Sequence, residues 1–508
     1  MRQLHLAASL LAAAVLAACG GGSTGPTIDT AVARGTLFAN PPNQVPIPQA
    51  NGTAVTKLEP LMFAAMLEAG SPGVTQITGT PKCAISTYYM KYATVGGANE
   101  ATDATGAIMV PSGSDPACAG PRPVLLYAHG TTVEKSFNMA NLRDNSEASL
   151  VAAMYAAQGY IVVAPNYAGY DTSSLSYHPY LNAEQQANDM IDSLRAARKA
   201  FATIGAADSG KLLIAGYSQG GHVAMATQRA MQVSYPTEFN VTALAGMSGP
   251  YAMALLGDAV FGGSPNAGGT VFMPMIATSW QKSYGGLYTS PNELYEDKYA
   301  TGIESLIPSS TLTFSTLFST GKLPALALFA KDSLPGPSSP AFAAFFGDGN
   351  LIKSSFRSTY LADAVKNPCN VNPAKPLDCT PANGFRKAGV KNDLRNYLPK
   401  VPVMLCGGNS DPTVFFASTQ ATAGYFQLNG LPAAALTVLD VDSAPTGATD
   451  PFAAAKVGFG MAKTATINAA IAAKTDPATA VAGVYHGGLV PPFCNAAARG
   501  FFAGALAR

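Results

Sequence analysis

A serine set between glycines on a sharp turn is a common setting for a nucleophile, and Gly216-Tyr217-Ser218-Gln219-Gly220 has that spacing. The spacing alone is weak, because Gly21-Gly22-Ser23-Thr24-Gly25 shares it. Context separates the two. Ser218 follows the short apolar run Lys211 to Ala215 and precedes Gly221 to Gln232, whose Val223, Ala224, Thr227 and Met231 fit one helix. A strand-to-helix turn pushes the serine outward, and the flanking glycines avoid collision with neighbouring elements. The hydroxyl then lies at a helix N-terminus, where backbone N–H groups favour developing negative charge. The chemistry this predicts is nucleophilic attack by Ser218.

A hydroxyl needs a base at neutral pH, and the chain has five histidines. His5 lies in the N-terminal apolar segment, and His129 follows the apolar run Pro123 to Ala128. His178 falls in a loop upstream of the serine, and His222 falls on the serine's own helix. His486, in Val484-Tyr485-His486-Gly487-Gly488, is the only one beyond every candidate strand. It is the expected base, while His129 and His222 read as structural. An acid to orient the imidazole and stabilise its charged form is expected after a late strand. Asp411, in the turn Gly407-Gly408-Asn409-Ser410-Asp411-Pro412, is favoured, with Asp440 and Asp442 after the next strand as alternatives.

These side chains need a scaffold. Ala84 to Thr94 and Ala104 to Pro111 alternate around Gly96-Gly97-Ala98-Asn99, which predicts an antiparallel hairpin. Pro123 to Ala128, Tyr160 to Ala164, Lys211 to Ala215, Val241 to Met247, Val401 to Leu405 and Leu436 to Leu439 are short apolar runs that predict strands covered on both faces. Helical patterns intervene at Ala148 to Gln158 and Ala183 to Phe201, the latter with Met190, Leu194, Ala197 and Phe201 in register. Such alternation predicts an α/β fold with a mostly parallel, doubly wound sheet.

Tyr127-Ala128-His129-Gly130-Thr131, Gly216-Tyr217-Ser218-Gln219-Gly220-Gly221-His222, Gly407 to Pro412 and Tyr485-His486-Gly487-Gly488 together resemble the α/β-hydrolase superfamily, from about Ala84 to the C-terminus. The short strings are similar to bacterial esterases near the secretory, lipase A-like lipases. The resemblance implies a serine carboxylesterase or lipase with a helical cap and no cofactor. Its chain order of nucleophile, acid and base matches Ser218, Asp411 and His486. It also implies an oxyanion hole from the backbone N–H groups of Thr131 and Gln219, with Thr132 as a neighbour.

Spacing agrees with a cap. From Ser218 to Asp411 there are 193 positions, and Tyr251 to Pro399 exceeds what the sheet needs. That segment holds 18 of the 45 aromatic residues, including the lone Trp280. Most are expected to form the cap's own core and some to line an acyl pocket. Pro324 to Ala330 and Leu351 to Lys366 read as helices there.

The N-terminus reads as an address. Met1-Arg2-Gln3 carries one charged side chain, Leu6 to Ala18 is apolar, and Leu16-Ala17-Ala18-Cys19 resembles the lipobox of bacterial lipoproteins. The apolar run is too short for a helix across ~30 Å of bilayer. The expected organisation is a signal peptide at 1–18, then a lipidated Cys19 with a Gly- and Pro-rich tether to 55. A hydrolase core follows at 56–250 and 400–508, split by a cap at 251–399. Export and a lipid anchor in the bacterial envelope follow from this reading, with the membrane as partner.

Six other cysteines remain, an even number that favours disulfides in an exported chain. Their spacings contain no Cys-x-x-Cys clamp, so no metal site is expected. The proposed pairs are Cys83 with Cys118, Cys369 with Cys379, and Cys406 with Cys494. Only the last has a mechanistic basis, since Cys406 and Cys494 become neighbours if Asp411 and His486 meet.

Composition removes other classes. Charged residues make up 12% of the 508, against about 25% in ordinary domains. With 31 basic and 30 acidic residues there is no field to gather nucleic acid. No repeats of 40 to 50 residues announce the propeller of a peptidase on this fold. Dehalogenase or epoxide-hydrolase chemistry would need Asp at position 218. An acyltransferase would use the same three residues with an alcohol acceptor, and a non-catalytic lipoprotein would be expected to have lost one of them. The expected substrate is a neutral, apolar ester, with triglyceride, short or aromatic ester and polyester all compatible.

Overall fold

The apolar runs are strands because both of their faces find cover. In β4 (Arg122–Ala128), Val124, Leu126 and Ala128 join one apolar cluster while Leu125 and Tyr127 join another on the opposite face. Burying each Leu or Val contributes about 1.5–3 kcal/mol, so a run without polar alternation is stable only between two helical layers. The computed structural model describes residues 32–48 and 52–508.

Nine strands form one sheet. In chain order the others are β1 (Asn43–Gln44), β2 (Ala84–Val95), β3 (Ala101–Ser112), β5 (Ile161–Pro165), β6 (Asp208–Tyr217), β7 (Val241–Met247), β8 (Val403–Gly407) and β9 (Leu436–Asp440). Their spatial order is β1-β2-β3-β5-β4-β6-β7-β8-β9. The β1, β2, β3 and β5 contacts are antiparallel, and every contact from β5 to β9 is parallel. The helices that position the site are α1 (Ser146–Met154), α2 (Ala183–Ala200), α3 (Gln219–Ser234), α4 (Met253–Phe261), α5 (Gly269–Tyr284), α6 (Ser354–Lys366) and α7 (Val490–Leu506). Among the described residues, no helix is long and apolar enough to cross a membrane.

Two expectations are corrected. Residues 19–55 read as a flexible tether, yet 33–48 are bound to the sheet. Gly35 and Phe38 N–H donate to Ala93 and Lys91 carbonyls at 2.9 and 3.0 Å, and Asn43–Gln44 pair with Tyr88 and Tyr89. Arg34 meets the buried Asp192 carboxylate of α2 at 2.9 Å. A proline-rich segment can serve as an edge strand because its outer face needs no ladder donors. The second correction is Pro324 to Ala330, which is not helical. Leu328 and Phe329 N–H both reach the Phe345 carbonyl, and Ile352 N–H reaches Leu328, so the backbone groups are spent on distant partners. Cys19, His5 and the rest of the N-terminal address lie outside the described residues.

Residues 251–399 stand between β7 and β8 and carry their own apolar cluster around Trp280, Phe261, Phe329, Phe356, Tyr360 and Phe385. The segment is helical in α4, α5, α6 and Gly384–Lys391 but largely irregular from 285 to 353. Three disulfides are present. Cys83–Cys118 links the start of β2 to the loop before β4, Cys369–Cys379 closes a local loop, and Cys406–Cys494 joins β8 to α7.

His222, buried on α3, donates through Nε2 to the Asn392 carbonyl at 2.9 Å and so ties α3 to the approach to β8. Burial pushes its pKa down to about 4, against the Asn392 hydrogen bond. An unfolded histidine titrates near ~6.5, so between these values the unfolded chain binds more protons and stability rises with pH. Asp189 has the opposite sign, its carboxyl pushed up to about 7 by burial. We expect the melting temperature of the native chain to fall more steeply than that of His222→Gln as pH drops from ~6.5 to ~4. Parallel curves would contradict this. Removing Cys406–Cys494, which spans 88 residues, should cost about 2–4 kcal/mol in a urea titration of the double Cys→Ala variant.

Candidate active site

Ser218 stands at the end of β6 and the start of α3 with φ 58° and ψ −122°. A positive φ is strained for a side chain bearing Cβ, and the glycines around it show what enforces it. A Cβ on Gly216 would strike the Gly220 carbonyl, and one on Gly220 would strike the Ala128 carbonyl. Gly221 faces the Met247 carbonyl at 2.7 Å from its would-be Cβ. The serine's own N–H is held by that same Met247 carbonyl at 2.8 Å.

The structure brings Ser218, His486 and Asp411 into one line. Ser218 Oγ donates to His486 Nε2 at 2.7 Å, and His486 Nδ1–H donates to Asp411 Oδ2 at 2.6 Å. The other Asp411 oxygen accepts N–H from Thr413 at 2.8 Å and Val414 at 3.1 Å. With Nδ1 committed to the carboxylate, Nε2 is left as the acceptor a base requires. Asp411 is 1% exposed in its side chain and His486 13%, so the acid is dry while the base can meet a ligand.

His486 rides a π-helical turn, Tyr485–Leu489, directly before α7. Tyr217 donates its hydroxyl to the His486 carbonyl. Tyr485 couples the base turn to the acid turn: its hydroxyl accepts Ser410 N–H at 3.2 Å and donates to Asp442 at 2.7 Å. The two alternative acids are therefore engaged elsewhere. Asp442 also pairs with Lys463 at 2.8 Å, and Asp440 accepts both N–H groups of Asn409.

The other described histidines, His129, His178 and His222, are buried, which favours their neutral form. Burial pushes His129 down to about 4 and His178 to about 3. His178 donates from Nδ1 to the Ala168 carbonyl at 2.9 Å and accepts from Gln219 Nε2 at 2.7 Å, which fixes the side chain beside the nucleophile. His129 stacks on Tyr167 at 4.1 Å, while its ring nitrogens contact the Gly130 and Asn166 carbonyls.

The turn carrying Thr131 is strapped along its length. Tyr167 donates to the His129 carbonyl at 3.0 Å, Tyr170 to the Thr132 carbonyl at 2.7 Å, and Tyr180 bonds Thr131 Oγ1 at 2.8 Å. Glu147 of α1 accepts Gly130 N–H at 3.0 and 3.1 Å and the Tyr127 hydroxyl at 3.0 Å. Burial pushes the Glu147 carboxyl up to about 7, opposed by those donors. The sequence reading missed these four residues. The tyrosines at 167, 170 and 180, crowded into one loop, were the available signal. Gln219, opening α3, has no carbonyl four residues back within the helix to take its N–H.

Two cavities meet at Ser218. One of about 100 Å³ runs between α4 and α5, walled by Met253, Phe261, Phe272, Met273, Ile276 and Trp280, with the ion-paired Arg386 and Asp258 also on its wall. The other, about 600 Å³, lies toward α1 and α7 and includes Tyr127, Glu147, Leu150, Phe314, His486 and Pro491. His486 borders the second cavity and not the first.

Residues 137–259 match the family model of the secretory lipases. Among curated proteins, none matches the chain in sequence. The ligand-bound structure of the rice cell wall degrading esterase LipA from Xanthomonas oryzae is 25% identical. The match covers 92% of this chain and 98% of that one, with a TM-score of 0.68. A second structure of that esterase is 28% identical over 84% of this chain and 95% of its own, with a TM-score of 0.65. A protein of Legionella pneumophila at 20% identity shares the fold, covering 78% of this chain and 91% of that one at a TM-score of 0.61. The secretory family match and the three disulfides mark an exported protein. Sheet order, family match and esterase neighbours converge: the chain is an α/β-hydrolase of the esterase and lipase kind, a carboxylic ester hydrolase.

Proposed function

We propose that the chain is a serine esterase that works through an acyl-enzyme on neutral esters with an apolar acyl group. The supporting observation is the line from Ser218 Oγ through His486 to Asp411, at 2.7 and 2.6 Å. His486 Nε2 takes the hydroxyl proton as Ser218 Oγ attacks the ester carbonyl carbon. The backbone N–H groups of Thr131 and Gln219 hold the resulting oxyanion, and Asp411 stabilises the imidazolium. When the tetrahedral intermediate collapses, the C–O bond to the alcohol breaks and His486 returns the proton to the leaving oxygen. Water then repeats the sequence on the acyl-enzyme, releasing the acid.

The site of that proton return orients the substrate. The alcohol must leave beside His486, which borders only the wide cleft, so the acyl group occupies the narrower cavity between α4 and α5. The apolar side chains there favour an uncharged acyl chain. The width of the leaving-group cleft favours a bulky alcohol, including a polyester chain. We also infer that Cys19 is lipidated and anchors the enzyme in the bacterial envelope, on the strength of Leu16-Ala17-Ala18-Cys19.

Ser218→Ala should abolish hydrolysis of 4-nitrophenyl butyrate, and Asp411→Asn should lower kcat by about 10⁴-fold through loss of the imidazole's tautomer. Turnover retained by the Ser218 variant would remove the assignment. In a series of nitrophenyl esters alongside emulsified triglyceride and amorphous polylactide, activity on the polymer would support the bulky-alcohol reading. For the anchor, the mature chain should partition into detergent and Cys19→Ser should not; equal partitioning would contradict lipidation.

A further inference from the structure

We propose that Glu147 is a positioning residue for ester hydrolysis: by accepting the Gly130 N–H it sets the direction of the next amide, Thr131 N–H, toward the oxyanion. This rests on the acyl-enzyme reading above. Gly130 lies against the nucleophile, its would-be Cβ 3.7 Å from Ser218 Cβ and 3.6 Å from the Tyr217 carbonyl. Glycine restrains its own backbone least of all residues, so hydrogen bonds must fix the peptide planes on either side of it. Tyr167 and Tyr170 supply such bonds to the His129 and Thr132 carbonyls, while Tyr180 holds Thr131 through its side-chain hydroxyl. At Gly130 itself two side chains are engaged: the His129 ring meets the carbonyl at 2.7 Å, and Glu147 holds the amide nitrogen, its two oxygens 3.0 and 3.1 Å away.

Glu147 is itself held from two directions. It stands in the first turn of α1, whose N-terminus favours a carboxylate and whose N-cap, Asn145, accepts Ala148 N–H at 3.1 Å. Tyr127, the residue that brings β4 to the turn, donates its hydroxyl to Oε1 at 3.0 Å. The carboxylate thus links the strand, the helix and the turn that meet beside Ser218. It also lines the wide cleft with Thr131, Ser218 and His486, so its removal would open that wall to water.

The role differs from generic support in what it moves. An oxyanion donor acts in the transition state, so displacing one lowers kcat and leaves substrate binding nearly unchanged. A variant that keeps the acceptor should keep the geometry, whatever its charge. Glu147→Gln can still accept from Gly130 and Tyr127 through its amide oxygen, and it also removes a negative charge from the neighbourhood of the oxyanion.

The test measures kcat and KM for 4-nitrophenyl butyrate and the inhibition constant of a short trifluoromethyl ketone. Glu147→Ala should lower kcat by about 10- to 100-fold with KM held within about twofold, and weaken the ketone in proportion. Glu147→Gln should keep kcat within about threefold of the native chain or raise it. If Glu147→Ala does not fold, Glu147→Asp, a methylene short of Gly130, carries the same test with the same expected split. Unchanged kcat in the alanine variant, a rise in KM in place of the loss in kcat, or equal losses in Ala and Gln would overturn the role. Turnover by Ser218→Ala would instead sink the acyl-enzyme reading, whatever Glu147 does.

Discussion

Backbone packs directly on backbone beneath Ser218, and the rest of the site depends on it. β6, β7 and the loop after β4 approach α3 so tightly that Gly216, Gly220 and Gly221 admit no side chain. That contact holds the serine at φ 58°, a conformation a free chain would avoid. The strain is stored where it is useful. It presents the hydroxyl above the ends of the parallel strands, with the first amide of α3 free of any helical acceptor. Parallel pairing from β5 to β9 then carries the chain after β6, after β8 and after β9 to the same end of the sheet, where Ser218, Asp411 and His486 meet.

Burial and hydrogen bonding sort the four described histidines into two kinds. His129, His178 and His222 are enclosed, and loss of hydration holds them neutral with each ring anchored to a backbone carbonyl. His486 keeps an opening to the cleft and faces a carboxylate on one nitrogen and a hydroxyl on the other. The same side chain acts as core filler in three places and stands ready to move a proton in a fourth. The difference lies in what surrounds each ring.

Much of this was legible in the residues themselves. The strand runs, the Ser218 turn and the late positions of Asp411 and His486 rest on local pattern and chain order, which sequence carries directly. The even count of cysteines beyond Cys19 announced the bridges. Other parts depend on partners far away in the chain. Glu147 is an ordinary first-turn acid of α1 until β4 brings Gly130 and Tyr127 against it. Pro324 to Ala330 has helical composition, but Phe345 and Ile352 claim its backbone groups. Residues 33–48 look like linker because prolines and glycines mark both linkers and edge strands. Only the free edge of β2 and the acid at Asp192 decide between them.

The covering segment between β7 and β8 departs after Met247 and returns at Pro402, whose carbonyl accepts Leu244 N–H at 3.0 Å. Its two ends are therefore fixed by the sheet about four residues apart, roughly 13 Å at strand spacing, regardless of what lies between. Closing such a loop costs free energy that grows only with the logarithm of its length, about 0.6 kcal/mol per doubling. The sheet is thus nearly indifferent to how long this segment is, although Ala267 N–H and Asn266 Nδ2 within it reach the Pro412 and Thr413 carbonyls beside Asp411, both at 2.8 Å. The cavity between α4 and α5, walled largely from within this segment, can therefore change shape at little cost to the sheet.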